Sequence, residues 1–289
     1  MKLLYILAFL FHHFVSLLVV VGLLLWLRRT TVSGAWLALW PVSLAGLLLF
    51  IGLLSGFLLP TGHFGNLQLW AWTIFLYLPL FLGGAAFVLW QRAPWLAGGI
   101  MTLGVLIFLI ALDAFFIEPR WLEVSRLTLT TPKVQQPLRI VVLADIQTDR
   151  PGAYEERALR MALAERPDLI VLAGDYIQLG PFSRGYVEEG QALNAIMRRV
   201  GLEAPLGVYA VQGNVDEYAL WPAIFAGLPV TIFEKTTQVE VGPVLLTALS
   251  MEDAFSVQTT VAPRDGSSSA FHIVLGHSPN FSLGAIEAD

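Results

Sequence analysis

Four short blocks in the second half of this chain bring together residue types that hold cations: Asp145-Ile146-Gln147, Gly174-Asp175, Gly213-Asn214-Val215-Asp216 and Gly276-His277. Carboxylates, amide oxygens and one imidazole make a hard donor set. It suits a divalent ion such as Mn, Fe, Zn or Mg and not a soft metal. A carboxylate that bridges two cations is already ionised at neutral pH and needs no proton removed. The chain has no cysteine, which removes disulfides, thiolate metal sites and cysteine nucleophiles together.

Each block follows a run that reads as a β-strand: residues 138–144, 169–173, 207–211 and Phe271–Leu275. The first is nearly continuous aliphatic sequence, as in a strand covered on both faces. Helical spacing at 154–165 and 185–200 separates the first three strands, and a shorter helix is expected at 217–226. Further strands are expected at Val230–Phe233, Thr237–Val241 and 244–250, with a loop at 262–269. Alternation of this kind predicts an α/β layered domain. In open α/β sheets, ligands bind beyond the carboxyl ends of the strands. The four strands would thus deliver Asp, Asp, Asn and His to one edge. A single Asp after a strand is equally well explained as a turn or helix cap. Four in series are not. Glycine before Asp175, Asn214 and His277 suits a sharp turn out of each strand.

In order and in strand context, these blocks resemble the calcineurin-like metallophosphoesterases, particularly their membrane-anchored bacterial branch. The resemblance covers about residues 138–281 and none of the first half. It implies a helix-flanked β-sandwich (αββα) carrying two divalent metal ions. Asp145, with Gln147, would serve the first ion, Asp175 would bridge both, and Asn214 and His277 would hold the second. Asp175, Asn214 and Asp216 would form the catalytic set. Gln147 stands where the family has a histidine ligand. Val215 stands where the family has the histidine that helps the leaving group depart. The sequence ends at Asp289, before the family's final Gly-His-x-His block, so the domain is expected to be C-terminally incomplete and nearly inactive as it stands. Residues 281–289 read as the start of a helix. His272, inside a strand, is expected in the core or on the surface rather than on a metal. Asp149 is expected to cap the following helix or face solvent, while Tyr176 and Gln178 are candidate pocket residues.

The first half needs lipid. Of 17 basic residues it holds only Lys2, Arg28, Arg29 and Arg92, and of 22 acidic residues only Asp113. Mean hydropathy over the whole chain is +0.69. Four apolar runs, about 3–27, 35–59, 68–90 and 95–117, each exceed the ~20 residues needed to cross a bilayer. Tryptophans at 26, 36, 40, 70, 72, 90 and 95 lie at or near their ends, where an indole favours the interface. A cleaved signal peptide would have a shorter apolar core. The expected organisation is a four-helix transmembrane region at 1–117, a linker at 118–137 and a metallophosphoesterase-like domain at 138–289. Residues 126–130 within the linker alternate like a half-buried strand. Gly83-Gly84 and Gly98-Gly99 suggest close helix packing. His12 and His13 are expected to be neutral, hydrogen-bonded between helices, and Asp113 to reach the interface. The densest basic cluster, Arg28-Arg29, favours short loops in the cytoplasm and an extracytoplasmic soluble domain on a bacterial cell membrane.

The acidic second half argues against nucleic acid as a partner. The expected partners are the bilayer and a phosphate ester, lipid-borne or in the cell envelope. The leading reading is an integral membrane metal-dependent phosphoesterase. Gln147 and Val215 favour a second, a metal- or phosphate-binding sensor or scaffold without turnover. A transporter would need paired intramembrane charges or broken helices, and the spans show little of either.

Overall fold

The computed structural model describes residues 2–29, 36–59, 62–179, 183–262, 270–286 and 288. They fall into two compact units, Met1–Trp121 and Leu122–Asp289.

The first unit is helical. It contains α1 (Lys2–Arg29), α2 (Trp36–Leu58), α3 (Gly62–Trp72), α4 (Leu78–Leu89) and α5 (Pro94–Leu112). A π-helical turn, Thr73–Tyr77, joins α3 to α4 without a break, and a second, Asp113–Ile117, extends α5. Four segments are long and apolar enough to cross a membrane: Leu3–Arg29, Leu39–Leu58, Gly65–Leu89 and Pro94–Arg120. The helix of the third span begins earlier than its apolar run, so Trp70 and Trp72 lie within it rather than at its start. Packing compensates for the weak helix formers Gly62, Gly65 and Asn66: the Trp70 indole N–H donates to the Leu53 carbonyl of α2 at 2.9 Å. The Arg92 guanidinium donates to the Arg28 carbonyl at 2.9 Å, which puts the 1–2 and 3–4 connections at one end.

Between the helices His12 is fully buried, with Nδ1 2.7 Å from Ser55 Oγ and Nε2 3.2 Å from Thr73 Oγ1. His13 Nδ1 lies 2.7 Å from the Tyr77 hydroxyl. These bonds pin α1 to the second and third spans, the role expected for both histidines. Asp113 is exposed, on the second π turn. Of the four glycines expected at close approaches, only Gly84 makes one, and Gly52, Gly56 and Gly104 supply the others. A Cβ would meet Thr73 at Gly52, Trp70 at Gly56, Leu24 at Gly84 and Leu82 at Gly104, whereas Gly83, Gly98 and Gly99 face open space.

The second unit is layered. A parallel sheet of order β1-β2-β3-β4 contains β1 (Ile140–Leu143), β2 (Leu169–Leu172), β3 (Val208–Val211) and β4 (Val230–Phe233). A second sheet of order β5-β6-β8 contains β5 (Thr237–Val241), β6 (Val244–Ala248) and β8 (Phe271–Leu275). Alternation along β2 builds both interfaces. Ile170 and Leu172 pack with Leu159 of α6 (Ala153–Ala164) and Leu193, Ile196 and Met197 of α7 (Tyr186–Val200). Leu169 and Val171 pack with Val241, Leu246 and Leu275 of the second sheet. On that sheet's other side, Val274 packs beside Leu249 and Ala254 of α8 (Met251–Phe255). His272 is a core histidine, as expected, with Nε2 2.7 Å from Thr247 Oγ1.

Each long helix has its own start and stop. The Gly152 N–H donates to the Glu155 carboxylate at 2.7 Å, capping α6 without Asp149. α7 carries Glu188 and Glu189 in its first turn, Arg198 and Arg199 in its last, and ends at Gly201 in the left-handed region.

Several expectations fail in the second unit, and the helix expected at 217–226 is only a 3₁₀ turn, Trp221–Phe225. β1 is an edge strand of the sheet and Val142 is 62% exposed, so its aliphatic run does not mark burial on both faces. Residues 121–139 form no strand, and Leu127 is 84% exposed, because alternation without a pairing partner makes no ladder. The described residues 281–286 do not start an α-helix. A 3₁₀ turn, Pro279–Leu283, leads into β9 (Ala285–Ile286), which pairs with β7 (Thr260–Val261). Most of the expected 262–269 loop lies outside the described residues.

Candidate metal centre

The β1–β2 ladder does not stop where the strands end. The N–H groups of Asp145, Gln147 and Thr148 donate to the carbonyls of Gly174, Asp175 and Tyr176 at 3.2, 2.8 and 3.3 Å. The two loops therefore run side by side, placing the first and second blocks next to each other. Asp145, Gln147 and Asp175 all hold positive φ, at 53°, 38° and 58°. Such a conformation costs a non-glycine residue about 1–3 kcal/mol, and such residues gather at functional sites. Asp tolerates it through local hydrogen bonds. Gln147 does not have that compensation.

The third block locks onto the second. Asp216 is 5% exposed, and its Oδ2 accepts the N–H groups of Asp175 and Gly213, each at 2.9 Å. Its Oδ1 accepts the Tyr176 N–H at 2.8 Å and the Tyr186 hydroxyl at 3.3 Å. Burial pushes the Asp216 carboxyl above its ordinary value, and the three main-chain donors pull it back. Both oxygens are thus spent holding two loops together. The glycines between these loops serve close approach: Gly174, at φ +94°, would bring a Cβ to 2.5 Å from the Gly213 nitrogen. Tyr176 is 1% exposed and its hydroxyl donates to the Val211 carbonyl at 2.7 Å, so it is core rather than pocket.

The fourth block arrives from the other sheet. His277 Nδ1 lies 2.8 Å from the Ala173 carbonyl at the end of β2. A carbonyl only accepts, so Nδ1 carries the hydrogen and the neutral ring presents a lone pair at Nε2. That atom stands 2.9 Å from Asn214 Oδ1 and 3.4 Å from Asp175 Oδ1. Donor atoms of Asp145, Asp175 and His277 all lie within 4.8 Å of one another. Asp175 is otherwise held by two donors: the Val215 N–H at 3.0 Å on Oδ1 and the Gln147 side-chain amide at 2.6 Å on Oδ2. Lone pairs from a carboxylate, an amide oxygen and an imidazole meeting at this spacing are stabilised by a divalent cation, so the donor set fits one.

The structure therefore brings together Asp145, Gln147, Asp175, Asn214 and His277 and sets Asp216 behind them. The Ala173 carbonyl, the Val215 N–H and the Tyr186 hydroxyl were not legible in the sequence. Main-chain groups leave no mark on residue identity, and Tyr186 lies far from the blocks along the chain.

The family model for calcineurin-like phosphoesterase matches residues 138–285, just over half of the chain. The chain belongs to this family. Its phosphoesterase domain implies metal-dependent hydrolysis of a phosphoester, and members of the family use divalent metal ions. No curated relative and no solved structure matches the chain.

Proposed function

We propose that the protein is an integral membrane phosphoesterase, with a membrane region at 1–117, a linker at 118–137 and the hydrolytic domain at 138–289. Asp145, Asp175, Asn214 and His277 hold divalent cations drawn from Mn, Fe, Zn or Mg, with Asp175 serving two positions. The convergence of Asp145, Asp175 and His277 within 4.8 Å carries this reading. Cations bound there would polarise the phosphoryl oxygens and supply an activated water. The protein's own groups fix the geometry. Asp216 holds the Asp175 main chain in its strained conformation, and the Ala173 carbonyl sets the His277 tautomer. Val215 has no proton to give a leaving group, which must then leave without a side-chain acid from this position.

The substrate is a phosphate ester carried on a lipid or in the cell envelope, since the four helices hold the domain near a membrane. The short-loop charges favour an extracytoplasmic domain. The Gln147 amide on Asp175 favours a second reading, a sensor or scaffold that binds metal or phosphate without turnover.

The detergent-solubilised full chain, stripped with chelator, should hydrolyse an aryl phosphodiester only after Mn²⁺ is restored. Metal binding without turnover would favour the sensor.

A further inference from the structure

We propose that the two cation positions are unequal: one ion is resident on Asp145, Asp175, Asn214 and His277, and a second enters only together with phosphate. This rests on the function proposed above and concerns its metal occupancy.

One coordination sphere accounts for the spacing of Asp175, Asn214 and His277. Around an octahedral ion at about 2.1 Å, neighbouring donors stand ~3.0 Å apart and opposite donors ~4.2 Å apart. His277 Nε2 lies 2.9 Å from Asn214 Oδ1 and 3.4 Å from Asp175 Oδ1, inside that span. Asp145 lies within 4.8 Å of Asp175 and His277, so a small inward shift of its carboxylate brings it onto the same ion. Two carboxylates balance the charge of one divalent ion. The imidazole arrives with its tautomer fixed by the Ala173 carbonyl, as ligating histidines generally do.

The other position is guarded. Its natural donor, Asp175 Oδ2, accepts the Gln147 amide N–H at 2.6 Å, a short charge-assisted bond. That bond points N–H hydrogens toward the place where a second ion would use the oxygen. For Gln147 to become a ligand, its amide must leave Asp175 and turn to present Oε1. It would then offer a neutral oxygen to an ion whose shared carboxylates are already balanced by the first. Phosphate supplies the missing negative charge and displaces the amide. By linkage, phosphate must tighten the second ion by the same factor as the ion tightens phosphate.

The test is calorimetric titration of the stripped full chain in detergent with Mn²⁺, alone and with inorganic phosphate, checked by elemental analysis after desalting. One ion per chain is expected alone, with any second ion at least about tenfold weaker, and two with phosphate. Gln147→His, which supplies a neutral nitrogen donor, should bind two without phosphate. Two ions of equal affinity in the wild type, or no effect of phosphate on stoichiometry, would overturn the inference and leave the proposed function standing. No Mn²⁺ binding at all would overturn both. The wild-type comparison does not depend on the variant folding.

Discussion

The imidazole of His277, at the end of β8, bonds through Nδ1 to the carbonyl of Ala173, at the end of β2, across 2.8 Å. One side chain thereby ties the second sheet to the first and aims its remaining nitrogen at Asn214 and Asp175. Loss of an outer-shell partner typically weakens metal binding about 10–100-fold, and loss of a ligand costs more. His277→Ala is therefore expected to weaken Mn²⁺ binding by more than about 100-fold. Titration of the stripped protein checks this, and unchanged affinity would remove His277 from the ligand set.

Both oxygens of Asp216 accept main-chain N–H groups, and the function proposed above gives this carboxylate a supporting role at the centre. Asp216→Ala leaves the buried N–H groups of Asp175 and Tyr176 without an acceptor, at about 1–3 kcal/mol each. Thermal unfolding should shift down accordingly, with Mn²⁺ affinity falling too as Asp175 loses its support. Asp216→Asn, which keeps one acceptor oxygen, should recover part of both. Lost turnover with unaltered stability and metal affinity would instead make Asp216 a reacting group.

A pH effect should arise away from the centre. The Arg184 guanidinium holds the fully buried Glu189 carboxyl below its ordinary value, against the opposing pull of burial. A depressed folded pKa contributes stability above the unfolded value of about 4.3, lost as pH falls through the folded one. The melting-temperature gap between wild type and Glu189→Gln should narrow between about pH 5 and pH 3. A gap independent of pH would contradict the assignment.

Much of this architecture was legible because buried strands in series carry a strong apolar signal. β4, β5 and β8 fall where the sequence placed them. The pattern could not say which strand lies at an edge, so Val142 looked as buried as Ile170. Nor could it say whether the alternating residues 126–130 have a pairing partner, which is a property of the rest of the chain. The residues that converge at the candidate centre were legible by type and position. The hydrogen bonds of Asp216 were not, because a buried acceptor of main-chain N–H groups and a reactive acid share one residue type.

Under the proposed function, Val215 gives the departing oxygen no side-chain proton donor. Across aryl phosphodiesters of increasing leaving-group pKa, turnover should fall steeply, because the position offers no proton to the departing oxygen. Val215→His should flatten that dependence and gain most on the poorest leaving groups. A flat dependence in the wild type would show that another group supplies the proton.

The most direct test of the central claim is p-nitrophenolate release from bis-p-nitrophenyl phosphate by the purified full chain in Mn²⁺, wild type against Asp175→Asn. The expected result is metal-dependent release by the wild type and its loss in the variant, whose amide keeps the shape of Asp175 without its charge. Equal release by both proteins would contradict a centre built on that carboxylate.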